Sequence, residues 1–181
     1  RWMQNAIIAV SEELRAQLSD SFTSTRVHCI HNGIDVDAVR AAAQTTERTD
    51  QEQRVAFVGR LETVKRVDLF IETAQYLVDH YPDQAWVFNI FGDGSLRREL
   101  EHQADNSRAA SRIQFHGHCT EIHQAIANQD LLLMCSDHEG LPMTLLEAVA
   151  LNTRVVAHAV GGIPELIDSA AMGCLVKEHT A

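Results

Sequence analysis

From Arg54 onward the sequence repeats one pattern, a short run that is apolar throughout followed by a stretch with apolar residues at helical spacing. The runs are residues 55–58, 85–91, 113–115, 131–134, 155–157 and 175–176. After the first, Val67, Phe70, Ile71, Ala74, Leu77 and Val78 fall on one face of a helix. A strand without polar alternation is buried on both faces, as in a parallel sheet covered by helices. The alternation predicts an α/β fold, a doubly wound, Rossmann-like parallel sheet of about six strands. Such sheets bind ligands beyond the carboxyl ends of their strands. The loops that matter therefore follow Val58, Phe91, Phe115, Cys135 and Ala159.

The first part of the chain reads differently. Residues 6–10 form a strand, and Ser11 caps a helix that runs to about Leu18. Residues 27–30 form another strand, closed by the turn pair Asn32-Gly33. Residues 38–53, rich in Ala, Gln, Thr and charge, read as a weak helix followed by an exposed linker. The chain opens at Arg1, next to the first strand, which suggests an excised fragment.

Charge excludes one class of partner. With 25 acidic against 15 basic residues the net charge is −10, whereas a nucleic-acid surface needs a positive footprint. A nucleotide diphosphate needs only one or two placed cations. No apolar run approaches the ~20 residues that span a bilayer, and the start is not that of a signal peptide. Cys29, Cys119, Cys135 and Cys174 are isolated, and read as small buried hydrophobes of a reducing cytoplasm.

Three features fall in the ligand-side loops. After the first run comes Gly59-Arg60-Leu61-Glu62-Thr63-Val64-Lys65, where a glycine admits close approach and two cations suit a diphosphate. A surface Arg and Lys beside a strand-ending glycine would look the same. After the fourth run comes Ser136-Asp137-His138-Glu139-Gly140-Leu141-Pro142-Met143-Thr144-Leu145-Leu146-Glu147. A helix starting near Pro142 would aim its free amides at the sheet edge, making an anion site. Carboxylates at 139 and 147 accept hydrogen bonds from sugar hydroxyls. A favourable helix-dipole position explains Glu139 on its own, but not an acid at 147 among apolar neighbours. Finally, Gly161-Gly162-Ile163-Pro164-Glu165 is either a strand–helix turn or a ligand-contacting loop.

In this order and spacing the three features resemble the donor-binding C-terminal domain of glycosyltransferase family 4, which has the GT-B fold. The family's G-R-L-x-x-x-K corresponds to Gly59 through Lys65, and its G-x-G to Gly92-Asp93-Gly94. Its E-x7-E corresponds to Glu139 and Glu147, and its G-G-I-P-E is reproduced at 161–165. Residues 5–18 look like the last strand and helix of that family's N-terminal domain, and 31–35 (HNGID) like the entry into the C-terminal one. The resemblance implies 1–37 as the N-terminal domain's end and connection, 38–53 as weak helix and linker, and 54–181 as the nucleotide-sugar domain.

The resemblance also implies roles. Arg60 and Lys65 would bind the donor diphosphate, with Glu139 holding hydroxyls of the transferred sugar as the third catalytic residue. Glu147 would hold the ribose, and backbone at His118 and Cys119 the base. Gly59, Gly92, Gly140, Leu141, Met143, Thr144 and Leu145 complete the donor-binding set. The expected reaction is metal-independent transfer with retention, from a nucleotide-diphosphate sugar to a glycan or lipid-linked acceptor. The donor is a substrate, and no cofactor is implied. The acceptor would be held by the missing N-terminal domain, so the fragment alone is expected to be inactive. A cytoplasmic enzyme is expected, with peripheral contact at the inner face of a membrane as an option for the whole protein. A noncatalytic nucleotide-binding module and a GT-B sugar-nucleotide epimerase remain as alternatives; a phosphorylase would need a pyridoxal-phosphate lysine motif that is absent.

The sequence departs from the family where E-G-F-G becomes Glu139-Gly140-Leu141-Pro142. Asp35-Val36-Asp37 spells D-x-D, but it follows a turn pair without matching context and reads as chance. His116, His118 and His123 straddle a strand end, loop and helix, and read as ordinary polar histidines.

Overall fold

A computed structural model describes residues 6–43 and 51–178. A two-stranded parallel unit opens the chain, with β1 (Ala6–Ala9) and β2 (Arg26–Cys29) flanking α1 (Glu12–Ser21). Ser11 caps α1 as expected, its hydroxyl accepting from the Leu14 amide at 3.2 Å. Helix α2 (Val36–Ala42) follows, and here D-x-D finds a local role: Asp35 is its N-cap, accepting from the Ala38 amide at 3.0 Å. The helix expected within 38–53 thus starts two residues earlier. Residues 44–50 of the expected linker lie outside the described residues, and Gln53 already belongs to the next strand.

The remainder is one six-stranded sheet, all parallel: β3 (Gln53–Val58), β4 (Trp86–Phe91), β5 (Ile113–Gly117), β6 (Leu131–Met134), β7 (Arg154–His158) and β8 (Cys174–Val176). The order across the sheet is β5-β4-β3-β6-β7-β8. The chain winds outward in one direction from β3 and then in the other from β6, so the carboxyl ends of these two central neighbours define the switch point.

Helices α3 (Val67–His80), α4 (Arg97–Asp105), α5 (Ile122–Ala127), α6 (Met143–Ala150) and α7 (Ile163–Leu166) connect the strands. One core lies under α3 and α4, where Phe70 stands edge-on between Phe57 and Phe88 at centroid distances of 6.1 and 6.2 Å. The other, under α5 to α7, is built on Ile126, Leu132, Leu145, Ala157 and Ile163. Asn89 interrupts the apolar run of β4 and is buried, yet satisfied: it donates to Gln129 Oε1 at 3.0 Å and accepts from His116 Nε2 at 2.8 Å. Burial of His116 lowers its pKa and favours the neutral ring.

The reading of the cysteines needs correction. Only Cys135 is buried; Cys29 and Cys119 are half-buried, and Cys174, on the edge strand β8, is exposed. A small edge strand cannot cover both of its faces, which is why an apolar-looking run left one thiol in solvent. No helix among the described residues is long and apolar enough to cross a membrane.

Candidate functional site

At the switch point, the loops after β3 and β6 interlock. The Asp137 amide donates to Val64 O at 2.9 Å, so the 3-10 turn Thr63–Lys65 is tied to the loop that carries Glu139. Lys65 Nζ then reaches Glu139 Oε1 at 2.5 Å, and the Ser136 hydroxyl donates to the same oxygen at 2.7 Å. Glu139 is 8% exposed and Lys65 21%, so this is a sheltered ion pair on the sheet's carboxyl side. The next residue, Arg66, takes the left-handed conformation (φ 49°) and bridges Asp68 and Asp137. Hydrogen bonding to Asp68 above all holds its guanidinium above the usual arginine range.

The glycines of this edge serve the packing of loop on loop. Gly92 (φ +139°) lies so close to the β3 loop that a Cβ would stand 1.8 Å from Gly59 O. A Cβ on Gly94 would be 2.4 Å from Leu61 O. Leu61 in turn donates its amide to Asp93 O at 3.0 Å. This close approach leaves a cavity of about 380 Å³ above the ends of β3, β4 and β5.

The cavity brings together Gly59, Arg60, Gly92, His118, Cys119, Met143, Thr144 and Glu147 from the expected set. The exposed Arg60 guanidinium makes no hydrogen bond or ion pair among the described residues, and Glu62 is the carboxylate that feels its charge. Hydrogen bonds from Ser95 are the main reason the Glu62 carboxyl sits below its ordinary pKa. Helix α6 begins at the cavity wall with Pro142 as its N-cap residue, one position before the first turn in which it was expected, and with no side-chain cap. The amides of Leu145 and Leu146 turn onto Pro142 O, and those of Met143 and Thr144 have no backbone acceptor among the described residues. Opposite, Glu147 Oε1 stands 3.5 Å from His123 Nε2.

The other expected residues lie elsewhere. Lys65 and Glu139 do not line the cavity and form their own pair. Leu145 is fully buried and commits its amide to Pro142. Gly140 O accepts from the Gly162 amide at 2.6 Å, and Leu141 O from Asn32 Nδ2 at 2.8 Å, so the 140–141 carbonyls are committed to the 161–162 turn and to Asn32. Glu165 also leaves the cavity, binding the amides of Glu12 and Glu13 and the ring of His31.

Sequence reasoning missed Val58, Phe91, Asp93 and Ile122, which complete the lining. Asp93, between two motif glycines, carried a usable signal; the three apolar residues carried none beyond their place at strand ends and in the next helix. Besides a cavity of about 530 Å³ between α3 and α4, two others are larger than the switch-point one. One, of about 490 Å³, runs along the sheet beside β4 and β5, over the interlinked Asn89, His116 and Gln129. The other, of about 680 Å³, is mostly apolar, with Val156, Ile167 and Leu175 in its wall. Among the described residues no cluster of His, Cys, Asp and Glu could hold a metal.

The chain is 24% identical over 176 residues to poly(ribitol-phosphate) alpha-N-acetylglucosaminyltransferase of Staphylococcus aureus, covering 97% of this chain and 34% of that protein. It is 31% identical over 165 residues to D-inositol 3-phosphate glycosyltransferase of Mycolicibacterium gilvum, covering 85% and 36%. It thus spans little more than a third of these relatives. Among solved structures it superposes on a mutant of S. aureus TarM in complex with fondaparinux, alpha-GlcNAc-glycerol and UDP. That match has a TM-score of 0.85 at 23% identity, with 97% of this chain and 34% of that one covered. Anabaena HepE in complex with UDP and glucose matches at a TM-score of 0.83 and 21% identity, covering 98% and 50%. Residues 40–181 match the sequence profile described as glycosyl transferases group 1, and the chain belongs to that family.

Proposed function

We propose that residues 54–181 form the donor-binding half of a retaining family 4 glycosyltransferase, and that residues 1–37 are the end of its N-terminal domain and the connection from it. One observation carries the reading: one cavity at the switch point gathers an arginine without a partner among the described residues, the first amides of a helix and a half-buried carboxylate. Arg60 and the Met143 and Thr144 amides suit a diphosphate, and Glu147 suits the ribose hydroxyls beside it. Backbone at His118 and Cys119 would meet the base. Lys65 has three donors and uses one on Glu139, so it can add charge to the diphosphate while Glu139 turns its remaining acceptor capacity to the sugar. UDP is the favoured nucleotide because the TarM and HepE neighbours were solved with it.

In the reaction, the bond from the sugar's C1 to the diphosphate oxygen breaks as the acceptor oxygen bonds to C1 on the same face. The acceptor's proton passes to the leaving diphosphate, whose charge the cations and amides stabilise. The acceptor, a glycan or lipid-linked sugar, would bind the rest of the whole enzyme, which works in the cytoplasm or at the inner face of a membrane.

Calorimetry with UDP, GDP, ADP and uridine tests the proposal. UDP is expected to bind in roughly the high micromolar range, because an open cleft leaves water around the charges. Chelation should not change it. Uridine should bind at least about tenfold more weakly, since one charged hydrogen bond to phosphate contributes about 1.5–3 kcal/mol. Transfer by the fragment alone should be absent, because nothing holds an acceptor in attack geometry. Equal affinity for UDP and uridine, or turnover by these 181 residues, would overturn the reading.

A further inference from the structure

The loop 161–165 does not line the cavity, yet its backbone presses on the segment that carries Glu139. Gly161 (φ +55°) has no room for a Cβ, which would stand 1.7 Å from Glu139 O. A Cβ on Gly162 would be 2.5 Å from Gly140 O and 2.8 Å from the Ser11 Cβ. From the other side, Val10 would be 2.9 Å from a Cβ on Gly140, and Asn32 holds Leu141 O. The 139–141 backbone is therefore gripped between two jaws, the 161–162 turn and the N-terminal unit.

One side chain joins the jaws. Glu165 takes the Glu12 amide on both oxygens (2.9 and 3.0 Å), the Glu13 amide at 3.3 Å and His31 Nε2 at 2.8 Å. It thus serves two of the first-turn amides of α1, while Ser11 serves a third. We propose that Glu165, with His31, is a positioning residue of the donor site: it latches the N-terminal unit to the 161–162 turn and so fixes the backbone from which Glu139 reaches Lys65. The role assigned here to the glutamate of the G-G-I-P-E motif is mechanical, and the sugar end of the donor is what it governs. This rests on the reading of the cavity as a donor site.

The test compares the full chain with its Glu165→Ala and Glu165→Gln variants by calorimetry against UDP and UDP-glucose, alongside amide exchange. Glu165→Ala should weaken UDP-glucose by roughly tenfold, about 1.4 kcal/mol, while UDP changes less than about twofold. Glu165→Gln, which keeps one acceptor oxygen, should recover part of the loss. Exchange should speed at the amides of Glu12, Glu13 and Gly162, with β3 and β4 still protected. Loss of both ligands to the same extent, or no change in either, would make Glu165 a structural residue only. If the unmodified chain binds no nucleotide, the proposed function falls, and exchange alone judges the latch. Faster exchange at Gly162 upon Glu165→Ala then upholds it, and unaltered exchange there overturns it.

Discussion

Glu139 is nearly buried, and two donors converge on one of its oxygens. Taking Lys65 away leaves a sheltered carboxylate with Ser136 alone, so Lys65→Ala should lower stability by about 1–3 kcal/mol in urea melts. Adding Glu139→Gln should restore part of it, because the stranded charge goes with the partner. Additive losses in the two single variants would show that the pair does not couple. The thiols offer a second residue-scale test. Burial pushes the Cys135 thiol up to about 12, so it should resist alkylation until the chain unfolds. Cys174 should react freely, and Cys119, on the cavity wall, should react more slowly with UDP present. Equal protection of Cys174 and Cys119 by UDP would point to an indirect effect. At this scale the sequence marks Arg60, Glu139 and Glu147 through their spacing. It does not reveal that Lys65 and Glu139 are partners, since 74 positions separate them and only the meeting of β3 with β6 brings them together.

Among the elements, the strands were legible because burial on both faces leaves an unbroken apolar run. The start of α1 was legible because Ser11 can satisfy an orphan amide. Asn89 was hidden within such a run, since its partners Gln129 and His116 come from α5's end and from β5. The tie between α1 and the 161–165 loop was equally invisible; a glutamate one turn into a short helix looks solvated. That tie has a pH signature. Burial alone would raise the Glu165 carboxyl, but the Glu12 amide, His31 and the Glu13 amide outweigh it and hold the pKa below the ordinary 4.5. A carboxylate with a depressed folded pKa stabilises fully above its unfolded value and loses that contribution as pH falls through the folded one. Stability should therefore decline below about pH 4.5 in the unmodified chain, and less steeply in Glu165→Gln, as acid-dependent urea midpoints would show. Parallel slopes would mean that Glu165 gains nothing from these contacts.

For the molecule as a whole, an acidic chain with net charge −10 sets one arginine, Arg60, and the first amides of α6 against a cavity at the switch-point edge. The strand pattern made the carboxyl-end loops foreseeable as the ligand side, whereas the strand order that puts the β3 and β6 loops side by side appears only in the fold. The enclosure around the cavity depends on contacts between glycine backbones, which no spacing encodes. The most direct measurement is a titration of UDP into the isotopically labelled chain, followed residue by residue through amide chemical shifts. Perturbations should cluster at Gly59, Arg60, Gly92, His118, Cys119, Met143 and Thr144, with uridine moving only His118, Cys119 and their neighbours. Shifts confined to the groove over Asn89 and His116, or to the apolar cavity beside β8, would contradict the account.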